Sequence, residues 1–316
     1  MLDGVHVIDP RRANNGGIIL AGLKNMTYEG IARAVESMDN TIMTADQVEK
    51  IIHFLPTPRE SKLLQEYMAM NPTAGLCECE KFMVAMMTVK KPALKMRALL
   101  FKLQFPERHA NLSHRLLLIE KACEEVLKTD HLPNILIAAL NLGNTLNTAG
   151  GGQAVNAFSI TSLPKLNQMK TNDGKTTFLH VLIRIAIDKS LFDLNFKDDL
   201  PTVSQAGKIH LDVCNTELEK MEKDLEDVRN MSMSPEDEEH LLQSTDTAQF
   251  ALSATEEVSQ LRALLNKVKG MYPDVLKHYG EQNKEMTQPH QLFEIIDRFC
   301  KEFDKAPTEV EESSVK

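Results

Sequence analysis

No run of apolar residues in this sequence approaches the roughly 20 that a membrane span requires; the longest lies around Ile135–Leu140. The residues after Met1 lack the basic-then-apolar layout of a secretory signal. Cysteine is scarce and odd in number. The five (Cys77, Cys79, Cys123, Cys214, Cys300) show no framework spacing, which favours reduced thiols over a disulfide scaffold. Glycine (14) and proline (13) are few in 316 residues, which leaves long helices uninterrupted, and tryptophan is absent. Positive charge is in deficit. A formal charge of −9 argues against nucleic acid as the main partner. The rest is ordinary for a globular protein: 42% apolar and 26% charged residues, with length for one large or two modest cores.

Catalytic signatures are missing as well. Asp173-Gly174-Lys175-Thr176 looks like the end of a phosphate loop, but Met169 stands where that loop requires glycine. Gly150–Gly152 has neither the lysine nor the preceding strand. There is no His-Glu-x-x-His helix and no Gly-x-Ser-x-Gly elbow, and the ten histidines pair with no nucleophile at a readable spacing. Cys77 and Cys79, without a nearby Cys or His, cannot close a four-ligand metal site. Neither a metal, a cofactor nor an enzyme activity is expected.

Periodicity carries the positive signal. Pro10 suits the first turn of a short helix, in which Gly16 and Gly17 each cost about 1 kcal/mol relative to alanine. Thr27–Met38 is a helix with Ile31 and Val35 on one face. Thr44 and Gln47 form a capping box, and Thr57 caps a helix carrying Leu63, Leu64 and Tyr67. Phe82, Met86 and Met87 fit a buried helix face. Three later segments alternate spacings of three and four: Leu112–Val126, Leu211–Val228 and Ala251–Val268, the seam of helices packed in coiled-coil fashion. The second, near Gln205–Asn230, predicts a rod of about 39 Å at 1.5 Å per residue. The pattern is a three-helix bundle with one block, Ile137–Leu182, inserted between the first and second helices. In that block an apolar helix ends at Gly143-Asn144. A glycine turn, an amphipathic segment and a lysine-bearing loop follow, and from Thr161 to Ser190 Lys165, Lys170, Lys175, Arg184 and Lys189 outnumber Asp173 and Asp188. A polar connection spans Met231–Glu239.

The inserted block resembles the formin homology-2 domain, whose recognisable stretch reads roughly G-N-x-x-N-x-G, G-F-x-L-x-x-L-x-K-L, a lysine, and T-L-L-H. The matching residues are Gly143, Asn144 and Asn147; Phe158, Ile160, Leu163, Lys165 and Leu166; Lys170; and Thr177 through His180. Ile8, Asp9, Arg12, Asn15, Ile18 and Leu20 resemble the opening block of that family. Leu55–Glu60, Arg97–Phe105, Tyr272–Glu281 and Gln291–Phe303 resemble later ones, so the likeness covers about 7–305 in the correct order.

The resemblance implies an elongated all-α formin homology-2 fold. Its parts are a knob (7–109), a coiled-coil-like region (110–135 and 205–270), a post (136–204 and 271–305) and a disordered tail (306–316). It implies a cytoplasmic, actin-cytoskeletal protein that nucleates, caps and elongates filaments at the barbed end, with actin as monomer and filament end as partner. Ile18, which patterning alone reads as core, becomes the knob anchor, and Lys170 a basic contact to acidic actin. Arg12, Asn15, Lys165 and Lys102 are further actin-binding candidates.

Family members dimerise head to tail through an N-terminal, tryptophan-bearing lasso, and Gly143, Asn144, Asn147 and Phe158 form the surface that receives it. With no tryptophan and a start close to the knob, this chain is expected to lack the lasso. Profilin–actin is expected to engage flanking regions outside the chain. Ala157-Phe158 in place of Gly-Phe looks closer to plant and other non-animal formins. The alternative is a helical scaffold that has kept this fold and lost actin, binding through surfaces rich in its 16 methionines. A coiled-coil adaptor fits less well, because the outer faces of the rods are charged.

Overall fold

The computed structural model describes residues 6–23, 26–71, 75–171, 174, 176–189, 191, 196–232, 244–281 and 286–314. Among them the chain is all-α, with an isolated β-bridge between Lys170 and Thr177. It divides into two compact units, Met1–Ala110 with Glu219–Ser259, and Asn111–Leu218 with Gln260–Lys316. The polar connection from residue 233, together with Asp173 and Lys175, lies outside the described residues.

The first unit begins with α1 (Pro10–Leu20), α2 (Tyr28–Glu36), α3 (Ala45–Ile51), α4 (Pro58–Met70) and α5 (Glu78–Met86). Local chemistry sets these boundaries. Asp9 caps α1 with Pro10 in its first turn, Thr27 caps α2, and both expected caps at Thr44 and Thr57 form reciprocal capping boxes, with Gln47 and Glu60. Ile31, Val35, Ile51, Leu64, Phe82 and Met86 are fully buried among these helices. On α4 only Leu64 is buried; Leu63 is exposed.

Three long helices follow: α6 (Pro92–Lys128), then, beyond the inserted block, α10 (Leu211–Ser232) and α11 (Ser244–His278). Every residue of the three predicted seams is buried, from Leu112, Leu116, Ile119, Cys123 and Val126 on α6 to Leu261, Leu265 and Val268 on α11. Within the first unit Arg108 pairs with Asp224 at 2.9 Å, and Phe101, Phe105 and Phe250 meet edge to face at 5.5–6.1 Å. Within the second unit Arg115 pairs with Glu217 and Lys267 with Glu120.

The second unit also holds α7 (His131–Ala149), the 3-10 turn Ile160–Asn167, α8 (Phe178–Lys189), α9 (Val203–Ala206) and α12 (Pro289–Ser314). The inward stripe of α12 (Leu292, Phe293, Ile296, Phe299, Phe303) is fully buried, and Phe196 packs on Phe299 and Phe303.

Three expectations are corrected. Gly143 and Asn144 do not end their helix. It continues to Ala149 and stops where Gly151, at φ +79°, supplies the left-handed residue that glycine adopts cheaply. The second rod does not start at Gln205: α9 breaks at Gly207, whose backbone lies so close to α12 that a Cβ there would meet the Glu294 nitrogen at 3.3 Å. Finally, residues 306–314 are not a disordered tail. Ala306 is buried, so the apolar face of α12 runs past the expected end, and the helix continues through Pro307 to Ser314.

Candidate functional site

The predicted residues fall on both units. In the first, α1 presents Arg11, Asn14, Asn15 and Ile18 on one exposed face, while Ala13, Gly16, Gly17 and Leu20 are buried. Ile18 is 70% exposed. An isoleucine forgoes about 1.5–3 kcal/mol by staying in water instead of being buried, so a helix holding one outward needs other anchors. Arg12 is the main one. Its Nε donates to Glu60 at 2.7 Å, its Nη1 and Nη2 donate to the carbonyls of His53 and Leu55, and its guanidinium lies 5.8 Å from the centre of the Phe54 ring. Gly16 is another: a Cβ there would stand 2.2 Å from the Cys79 sulfur, so glycine lets α1 lie directly on α5. Burial pushes the Cys79 thiol up to about 12, and the side chain serves as packing.

A residue that sequence reasoning missed completes the platform. Glu80 is fully buried on α5. Its Oε1 accepts from the backbone N–H of Val7 (2.6 Å) and Ile8 (3.1 Å), and its Oε2 from that of Cys77 (3.1 Å). It therefore fixes the chain entering α1 to the start of α5. The available signal was the spacing Cys77-x-x-Glu80, a capping box with an unusual cap.

Two expected contact residues are turned inward. Lys102 is buried, its ammonium paired with Asp246 and donating to the Met38 carbonyl at 3.4 Å, so it presents no charge to a partner. Arg12 spends its donors inside its own unit. Both carry the right charge, but their partners lie far along the chain.

In the second unit the inserted block is organised by polar side chains that bond backbone. The Asn144 amide bonds Val155 in both directions, donating to its carbonyl and accepting from its N–H, each at 2.8 Å, which lays the descending chain against α7. The Asn147 carbonyl accepts from Gly152 at 2.7 Å. Ser159 caps the following turn, and Glu281 receives both the Ser159 hydroxyl and the Ile160 N–H. Beyond it, Lys170 and Thr177 face each other across a short antiparallel bridge, closed by Phe178 N–H to the Met169 carbonyl at 2.7 Å. Thr177 caps α8 and His180 returns the bond, its Nδ1 accepting the Thr177 N–H at 3.1 Å. Lys165 and Lys170 are exposed, as are Asn147, Met169 (54%), Ile137 (57%) and Leu146 (54%), while Phe158 is half-buried. A Cβ at Gly143 would meet nothing within 4 Å.

The sequence matches the Formin Homology 2 Domain family over residues 2–304. The chain belongs to that family. Among similar proteins, Formin-like protein 6 of Oryza sativa subsp. japonica is 31% identical over 96% of this chain and 22% of its own length. Formin-like protein 14 of Arabidopsis thaliana is 31% identical over 98% of the chain and 25% of its own length. Protein diaphanous homolog 3 of Mus musculus is 28% identical over 94% and 25%. This formin homology 2 chain thus spans about a quarter or less of the relatives it matches. Among its described residues no helix is long and apolar enough to cross a membrane.

Proposed function

We propose that this chain is the actin-assembly module of a formin, binding the barbed end of the filament and aiding nucleation and elongation there without covalent chemistry. The observation that carries the reading is Ile18, an aliphatic side chain 70% exposed on a helix otherwise tied down by Arg12, Gly16 and Asp9. A rigid apolar knob of this kind is the form that interface hot spots take. Asn15 shares its face, and Lys170, with Lys165 as a second cation, supplies a basic contact on the other unit. Arg12 and Lys102 contribute from inside, as positioning residues.

The surface around Gly143, Asn144, Asn147 and Phe158 is assigned as the receptor for a lasso from a second copy, giving a head-to-tail dimer where the full protein carries one. The bare backbone at Gly143 leaves room for a close approach. Profilin–actin would act through flanking regions, and the protein would work in the cytoplasm on the actin cytoskeleton.

The test is protection of filament ends. Filaments diluted until they shrink from their barbed ends should shrink more slowly with the chain, alone or within its full-length protein. Lys170→Asp should weaken that effect by about 1 kcal/mol and reduce its salt dependence. Undiminished shrinkage with both forms would overturn the proposal.

A further inference from the structure

Read along the sequence, the cysteine pair near residue 78 has too few neighbours to hold a metal. Folding changes the count. The segment that leads into α1 passes the start of α5, and the ligand atoms of His6, Cys77 and Glu80 come within 4.8 Å of one another. Cys79 is not part of this group; its sulfur faces Gly16.

Glu80 supplies a second, independent observation. It is fully buried and its carboxylate meets three backbone N–H groups, yet no lysine or arginine among the described residues pairs with it. Buried charges are ordinarily paired with a countercharge or bound to a metal. A carboxylate has about four lone-pair sites. Oε1 accepts from Val7 and Ile8 and Oε2 from the Cys77 N–H, and the Cys77 thiol itself bonds this carboxylate, so a metal ion there takes the place of the thiol proton. His6 is exposed while Cys77 and Glu80 are buried, which leaves the cluster open to solvent on one side.

We propose that His6, Cys77 and Glu80 form a binding site for a zinc-class transition metal ion. An imidazole nitrogen, a thiolate and a carboxylate oxygen are three protein ligands of the types zinc takes, and water completes the tetrahedron. The sulfur and nitrogen donors select against calcium and magnesium. Binding exchanges the Cys77 thiol proton for the metal: the S–H bond breaks, the S–M bond forms and one proton leaves to solvent. The ion would staple the chain before α1 to the start of α5 and stiffen the platform beneath Ile18. The site stands whether or not the protein binds actin.

Cobalt(II) is the probe, added to chelator-treated whole chain. One equivalent should produce a near-ultraviolet thiolate-to-cobalt charge-transfer band with tetrahedral visible bands, and zinc should bleach both stoichiometrically. Cys77→Ser should abolish the charge-transfer band with helical circular dichroism unchanged. Cys79→Ser should keep it. His6→Ala alters an exposed residue and leaves the fold intact; losing a direct ligand should weaken cobalt binding roughly tenfold or more, beyond what losing a supporting partner does. The proposal is overturned by the absence of a band in the wild-type chain. A band that survives Cys77→Ser, or unchanged affinity in His6→Ala, would overturn it equally.

Discussion

The two units treat the same residue type in opposite ways. Gly16, in the first, sits where a methyl group would strike the Cys79 sulfur; Gly143, in the second, sits mid-helix with open space before it. One glycine exists so that two helices of the chain can touch. The other does nothing for the fold, and its bare backbone is left facing outward. The difference extends to the polar groups. In the first unit Arg12 and Glu80 face inward and hold α1 with Ile18 exposed on it, and Lys102 is buried against Asp246. In the second, Asn144, Ser159 and Thr177 shape turns, and the cations Lys165 and Lys170 stay exposed. A packed helix presents the first surface, and hydrogen-bonded turns present the second.

Substituting each glycine in turn tests the contrast. Gly16→Ala should cost about 3 kcal/mol, the upper range for overpacking a tight contact. Gly143→Ala should stabilise by about 0.5–1 kcal/mol, the ordinary gain of alanine over glycine inside a helix. Urea unfolding of both variants reads the signs, and equal signs would dissolve the distinction. Asn144→Ala should cost about 1 kcal/mol. It should also speed hydrogen exchange at the Val155 amide without changing that of Ile8, because its bonds are confined to the second unit.

The smallest effect is electrostatic. His290 is held below the usual histidine range by burial and by His210, whose ring centre is 4.1 Å away, against smaller opposing influences from Glu294 and Asp212. A histidine with a depressed folded pKa binds fewer protons folded than unfolded. Its stabilising contribution is therefore present above the unfolded value, about 6.5, and is lost as pH falls below it. Melting temperature should drop between pH 7.5 and pH 5.5, and His290→Gln should flatten that slope. An unchanged slope would remove His290 from the account.

Much of the fold was legible because helix packing writes itself locally. Spacings of three and four marked every seam residue later found buried, Thr44 announced its cap through Gln47 three positions on, and Thr57 read as a cap for the helix that follows it. The misreadings share a different cause. Lys102 and Arg12 look like available cations, but their carboxylate partners stand 144 and 48 residues away, and no local pattern encodes that pairing. Gly143 read as a stop because glycine is a poor helix former, whereas the neighbouring turns of α7 carry the helix past it. Ile18 reads as core in any pattern of periodicity; only the family block around it pointed outward. Glu80 joins the segment before α1 to α5, a contact that appears only once the fold exists.

The central claim is that Ile18 is a contact surface held in place by the rest of its unit and not a part of its core. The most direct measurement is elongation from preformed actin seeds with free barbed ends, titrated with the chain and with Ile18→Ala, alongside the unfolding curve of each. The wild-type chain should slow elongation saturably, the variant should lose that effect by the equivalent of about 2 kcal/mol or more, and the two unfolding curves should coincide. Full retention of the effect in a folded Ile18→Ala chain, or a variant that unfolds as a core mutant would, contradicts it.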